Sequence, residues 1–146
     1  FTFSHSLTLA FSVLDLITLP ILLVEALIAL SITFLAIELV KSDKKSLTFS
    51  YPSAVAIVFG LLHGFGFASV LKSIGLPQTE LLVGLLFFNL GVEIGQVLFL
   101  LFIALISLTL ARVLMSSEKQ SIFIAYIAGV SSAYWVIDRV TSFSSV

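Results

Sequence analysis

ILLVEALIALSITFLAIELV, running from Ile21 to Val40, decides the class of fold. Its apolar side chains occupy every side of a helical wheel, whereas a helix of a water-soluble domain keeps one polar face. At about 1.5 Å per residue, roughly 20 residues match the ~30 Å hydrocarbon core of a bilayer. Pro20 precedes the stretch, where a turn or the first turn of a helix tolerates proline. Lys41-Ser42-Asp43-Lys44-Lys45-Ser46 follows it. That is the densest charge cluster in the chain, too polar for lipid, and reads as a water-exposed loop.

The rest of the chain repeats this pattern. Of 146 residues, 60% are hydrophobic and 10% charged, and the mean hydropathy is +1.24. The expected fold is therefore all-α, a multi-pass transmembrane bundle forming a single domain over residues 1–146. A net charge of −1 provides no basic field for nucleic acid. With no cysteine, disulfides, thiolate metal sites and thiol nucleophiles are excluded, and oxygen and imidazole ligands remain.

Polar clusters divide the chain into five expected membrane segments. Phe1 to Leu19 is the first, interrupted by His5 and Asp15, and Ile21 to Val40 the second. The third runs from Tyr51 or Pro52 to Leu71, and Ser73 to Thr79 has the glycine, proline and polar residues of a connection. From Leu81 to Leu114, about 34 residues carry no charge except Glu93 and, near the end, Arg112, enough for roughly 50 Å of helix. One long helix is the favoured reading, with Asn89 to Gly95 able to ease a kink. Ser116 to Gln120 closes it, and Ser121 to about Val140 is the last segment, ending on Tyr134, Trp135, Asp138 and Arg139 at an interface. Five crossings put Lys41, Lys44, Lys45, Arg112 and Lys119 on one side and Lys72 and Arg139 on the other, so the Lys41 to Ser46 loop is assigned to the cytoplasm. The opening residues already read as the inside of a membrane segment, and sequence upstream of Phe1 is expected.

Ionisable side chains in membrane helices cost a few kcal/mol, about 2.5–3.5 on insertion scales, and need partners, water or a route to the interface. Glu38 is close enough to the lysine loop to snorkel, and Asp15 lies near the turn at Pro20. Glu93 shares a helix face with Asn89 and Gln96, which reads either as interhelical hydrogen bonding or as a ligand or proton site. His63 is flanked by Gly60, Gly64 and Gly66, so a neighbouring helix can approach it closely. Glycines recur at GxxxG spacing at Gly60/Gly64 and Gly91/Gly95. Packing of the third and fourth segments through those faces would bring His63 and Glu93 together. Two histidines with two glutamates supply a donor set suited to a divalent transition metal.

The strings FTFSHSLTLA at Phe1 to Ala10, VEALIALSI at Val24 to Ile32, FGLLHGFGFA at Phe59 to Ala68 and FNLGVEIGQ at Phe88 to Gln96 resemble the HupE/UreJ family, and within it the type 2 branch. The resemblance implies a multi-pass protein of the bacterial inner membrane, accessory to hydrogenase and urease systems and acting in nickel uptake, not an enzyme. It also implies His5, Glu25, His63, Asn89, Glu93 and Gln96 as the metal-contacting positions, with nickel or another divalent transition metal as the transported ion. Family members usually carry an upstream helix of the form GxDHLLF, which nothing in this chain matches. If that helix carries ligands, this chain holds part of the site.

Three functions compete. A divalent-metal transporter or facilitator would use histidine and carboxylate ligands to replace the ion's water while still releasing it. A non-catalytic subunit, packed in a homo-oligomer or a larger membrane complex among lipids, would use the same polar residues as glue. An intramembrane metal-dependent hydrolase is the least supported, since two histidines are one short of a three-ligand catalytic zinc, although a carboxylate can be the third, and no HExxH or GxSxG string is present.

Overall fold

The computed structural model describes residues 1–74, 80–113 and 117–143, with side chains described outside 72–74, 110–113 and 117. Among the described residues the chain is helical and has no strand. Six α-helices follow one another among the described residues: α1 (Thr2–Val13), α2 (Ile21–Lys41), α3 (Leu47–Ser50), α4 (Pro52–Ile74), α5 (Leu81–Val113) and α6 (Ser117–Phe143). Of these, α2, α4, α5 and α6 are long and apolar enough to cross a membrane.

The first segment is shorter than the sequence led us to expect. α1 has 12 residues, about 18 Å of helix, against a hydrocarbon core of ~30 Å. Its end is a Schellman motif: Leu16 N–H donates to Phe11 C=O and Asp15 N–H to Ser12 C=O, with Asp15 in the left-handed region at φ 57°. Aspartate is one of the few residues other than glycine that visits this region routinely. The hydropathy of Leu14 to Leu19 hides that stop.

The other boundaries lie close to expectation. Pro20 is the N-cap of α2, and Pro52 opens α4, where its missing N–H costs no helical bond. α5 is one continuous helix of 33 residues. α6 begins at Ser117, so most of the expected break at Ser116 to Gln120 is helical, with Glu118 favourably placed in the first turn. Ser73 and Ile74 still belong to α4. Gly75 to Thr79, Leu114 and Ser116 lie outside the described residues.

α3 was not foreseen, and it explains Glu38. Rather than merely snorkelling, that carboxylate accepts the N–H groups of Leu47 and Thr48, each at 2.9 Å. Ser46 Oγ accepts the next one, from Phe49. The first N–H groups of a helix have no partner within it. Here a side chain from the preceding membrane helix and a local serine supply them.

Two seams hold the bundle. α1 lies parallel to α4: a Cβ on Gly60 would collide with Ser4 Oγ and the Phe1 carbonyl, and one on Gly64 with Thr8 Oγ1 and the His5 carbonyl. The Gly60/Gly64 pair thus receives α1, not the Gly91/Gly95 face, where an added Cβ would meet nothing within 4 Å among the described residues. α2 and α6 run antiparallel along the other seam. Glu25 meets Arg139 at one end, Thr33 and Ser132 hydroxyls hydrogen-bond at 2.8 Å midway, and Gly129 lies against Ala36 further along. α4 joins the seams by placing Gly66 against Ile28 and Phe59 edge-on to Phe34. α5 touches this body through Leu85, which joins Leu9, Val13, Ala68 and Leu71 in a buried apolar cluster, and through Ser107, whose hydroxyl donates to Gln120 Oε1 of α6 at 2.7 Å.

Candidate metal-contacting site

The α1–α4 seam buries His5 to 1% exposure. Close approach is possible because the facing positions on α4 are glycines, and Ser4 and Thr8 turn their hydroxyls back to carbonyls of their own helix. The His5 ring stacks on Phe1 at 5.9 Å between centroids and meets the edge of Phe67 at 5.4 Å. His63 sits across the same Phe1 ring, at 5.6 Å. An aromatic wall thus surrounds two imidazoles contributed by two helices.

Hydrogen bonding defines the state of His63. Its Nδ1 lies 2.7 Å from the Phe59 carbonyl, which can only accept, so Nδ1 carries the proton and Nε2 of the neutral ring keeps a lone pair. An imidazole oriented by a backbone carbonyl in this way is prepared to act as a ligand through its other nitrogen. His5 is left with an unused atom: its Nε2 is buried and has no hydrogen-bond partner among the described residues.

Asn89 completes the group from α5. Its amide nitrogen donates to the Leu85 carbonyl at 2.9 Å, and its Oδ1 faces the Ser6 hydroxyl at 2.7 Å. That hydroxyl also lies 2.8 Å from the Thr2 carbonyl, so its single proton serves one acceptor at a time. Ser6 follows His5 on α1, so this contact ties Asn89 to the turn of α1 that carries the buried imidazole.

The other expected positions lie elsewhere. Glu25 faces the α2–α6 seam, where its Oε2 is 3.1 Å from Arg139 Nε, with Asp138 3.7 Å from the same nitrogen. Glu93 and Gln96 are exposed on α5. The reason is register: α5 runs antiparallel to α1, with Asn89 opposite Ser6, and its next anchor among the described residues is Ser107, whose hydroxyl donates to Gln120 Oε1 of α6 at 2.7 Å, so Glu93 and Gln96 fall on the exposed stretch between the two contacts. Among the described residues, no three histidine or acidic side chains converge into a metal-binding cluster. The partnership of Arg139 with Glu25 escaped the sequence reading, although their opposite charges in apolar helices were the available signal.

A family model described as HupE / UreJ protein matches residues 1–139. The chain belongs to the HupE/UreJ family. That match includes His5, His63 and Asn89 together with all of α2, α4 and α5. No curated protein and no solved structure matches the chain. For this HupE/UreJ protein, then, family and membrane-helix architecture agree, as the four strings quoted above led us to expect.

Proposed function

We propose that this HupE/UreJ protein passes a divalent transition metal ion through the membrane, with nickel as its cargo, and that His5, His63 and Asn89 contact the ion. The family's accessory role toward the nickel enzymes hydrogenase and urease supports the cargo. The observation that carries the reading is the buried, unpartnered Nε2 of His5 beside a second imidazole whose tautomer leaves Nε2 basic. Burying such an atom without a hydrogen bond costs roughly 1–3 kcal/mol. A cation that draws on its lone pair offsets that cost. Imidazole suits nickel, and two imidazoles with an amide form a set weak enough to release the ion, as conduction requires. Glu93, one turn beyond Asn89, acts in this scheme as an electrostatic attractor at the approach. The Lys41 to Ser46 loop faces the cytoplasm of a bacterial inner membrane.

Uptake of radioactive nickel into proteoliposomes tests this. His5→Phe keeps the ring and its stacking but removes both nitrogens, and is expected to abolish uptake while the protein stays inserted and monodisperse. Glu93→Gln should reduce uptake without changing insertion. Full uptake by His5→Phe sinks the proposal. A second reading, a subunit of a larger membrane complex, is favoured by one observation: the most apolar stretch of α5 has no buried residue. Under it, α5 variants would lose a co-purifying partner, and His5→Phe would change nothing.

A further inference from the structure

Two apolar grooves flank α2 and open beneath the same lysine-rich loop. The larger, about 680 Å³, lies between α2, α3 and α4 and is lined by Leu30, Phe34, Ile37, Leu47, Val58 and Leu62 among others. The smaller, about 290 Å³, lies between α2 and α6 and extends to Val40 and Lys41. Thr33 and Ile37 line both. They form a single ridge with a groove on either side.

Neither groove presents a polar atom, although serine and threonine are among the lining residues. The reason is local: Ser31 Oγ donates to the Ile28 carbonyl at 2.6 Å, and Thr33 Oγ1 lies 3.0 Å from the Ala29 carbonyl and 2.8 Å from Ser132 Oγ. The hydroxyls are spent on bonds within the helix and across the α2–α6 seam.

Length and charge together identify the occupant. From Leu27 to Ile37, the α2 boundary of the larger groove rises about 15 Å, half of a ~30 Å hydrocarbon core. A helix crossing the membrane would need the full thickness, whereas an acyl chain of one leaflet needs half. At the end near the loop, the exposed apolar side chains of Leu47, Phe49 and Tyr51 give α3 the character of an interfacial helix. Lys41, Lys44 and Lys45 are exposed there. The neighbouring acids are already engaged: Glu38 by two N–H groups of α3 and by the charge of Lys41, and Asp43 by the Lys45 N–H at 2.9 Å. Hydrogen bonds orient these carboxylates without cancelling their charge, yet three lysines against two acids still leave an excess of one positive charge at headgroup level over two apolar channels.

We propose that these features form a site for one anionic phospholipid, an acyl chain in each groove astride the Thr33–Ile37 ridge and its phosphate on the lysine loop. The site is separate from the histidine pair and does not depend on the metal reading.

The test uses the whole protein in detergent, equilibrated with phosphatidylglycerol or phosphatidylcholine of identical chains and examined by native mass spectrometry. One phosphatidylglycerol per protomer should survive conditions that strip phosphatidylcholine. Replacing Lys41, Lys44 and Lys45 by glutamine should erode that preference by about fivefold per lysine. Val58→Trp, which fills the larger groove, should lower retention of both lipids at least tenfold, and free glycerol phosphate should not compete. Equal retention of the two lipids overturns the proposal. So does displacement by glycerol phosphate, which would mean a headgroup site alone, or a lipid-free dimer that Val58→Trp dissociates, which would mean a second copy fills the groove. Should Val58→Trp not fold, Tyr51→Trp in a Trp135→Phe background reports directly. Its fluorescence should be quenched more by chain-brominated phosphatidylglycerol than by the phosphatidylcholine analogue, and equal quenching again overturns the site.

Discussion

Gly60/Gly64 and Gly91/Gly95 share one spacing and have opposite surroundings. Against the first pair α1 packs so closely that a methyl group would strike Ser4, Thr8 and two backbone carbonyls, whereas one on the second pair would meet nothing within 4 Å among the described residues. A four-residue glycine spacing creates a smooth stripe on a helix. It does not choose what lies on that stripe. The choice fell to α1 because Ser4 and Thr8 repeat the same spacing with small side chains whose hydroxyls bond within their own helix. The tight seam then carries His5, and the open stripe carries Glu93.

The largest effect should come from breaking the tight seam. Gly64→Leu puts a branched side chain against the His5 carbonyl and Thr8, and overpacking of this kind costs about 1–3 kcal/mol, more when backbone must move. Thermal unfolding in detergent should show a large loss, together with loss of any metal dependence that rests on His5. The matching substitution on the open stripe, Gly95→Leu, should leave unfolding unchanged within about 0.5 kcal/mol. Strong destabilisation there would show that the stripe is covered in the membrane after all.

The second seam allows a sharper comparison, because it uses charge rather than close approach. Arg139→Gln should destabilise by about 1 kcal/mol, in keeping with an ion pair that is roughly one-third exposed and partly screened. Exchanging the pair as Glu25→Arg with Arg139→Glu should recover most of that loss, and a double-mutant cycle isolates the coupling. Weaker still is the hydroxyl contact midway along this seam. Thr33→Val should cost about 0.6 kcal/mol, the typical value of an interhelical hydrogen bond in a membrane protein. The smallest effect concerns α3, where Glu38→Gln keeps shape but weakens two charge-assisted bonds to Leu47 and Thr48 N–H. Faster amide exchange at residues 47–49, with unchanged global unfolding, is the expected readout.

Part of the candidate site was legible before any coordinates. His5, His63 and Asn89 stood out as polar groups in apolar helices, and the structure sets both imidazoles against the Phe1 ring with Asn89 bonded to Ser6 beside them. Glu25 stood out for the same reason but faces Arg139, since a wheel position shows that a side chain needs a partner without showing which helix supplies it. Glu93 and Gln96 share the stripe of Asn89, yet only Asn89 lies level with α1.

What the sequence determined by itself was the membrane class, the positions of α2, α4 and α5, and the stops at Pro20 and at the lysine loop. Each follows from local physics, because a backbone in lipid must satisfy its own hydrogen bonds within one helix, and charge or proline ends that helix where it stands. Tertiary structure alone decided the parallel pairing of α1 with α4, the Glu25–Arg139 contact and the exposure of Glu93. Lipid is as apolar as leucine, so no hydrophobic gradient selects one helix neighbour over another. The selection rests on small-residue fit and polar pairing across helices, and those depend on the rotation and register of two segments at once.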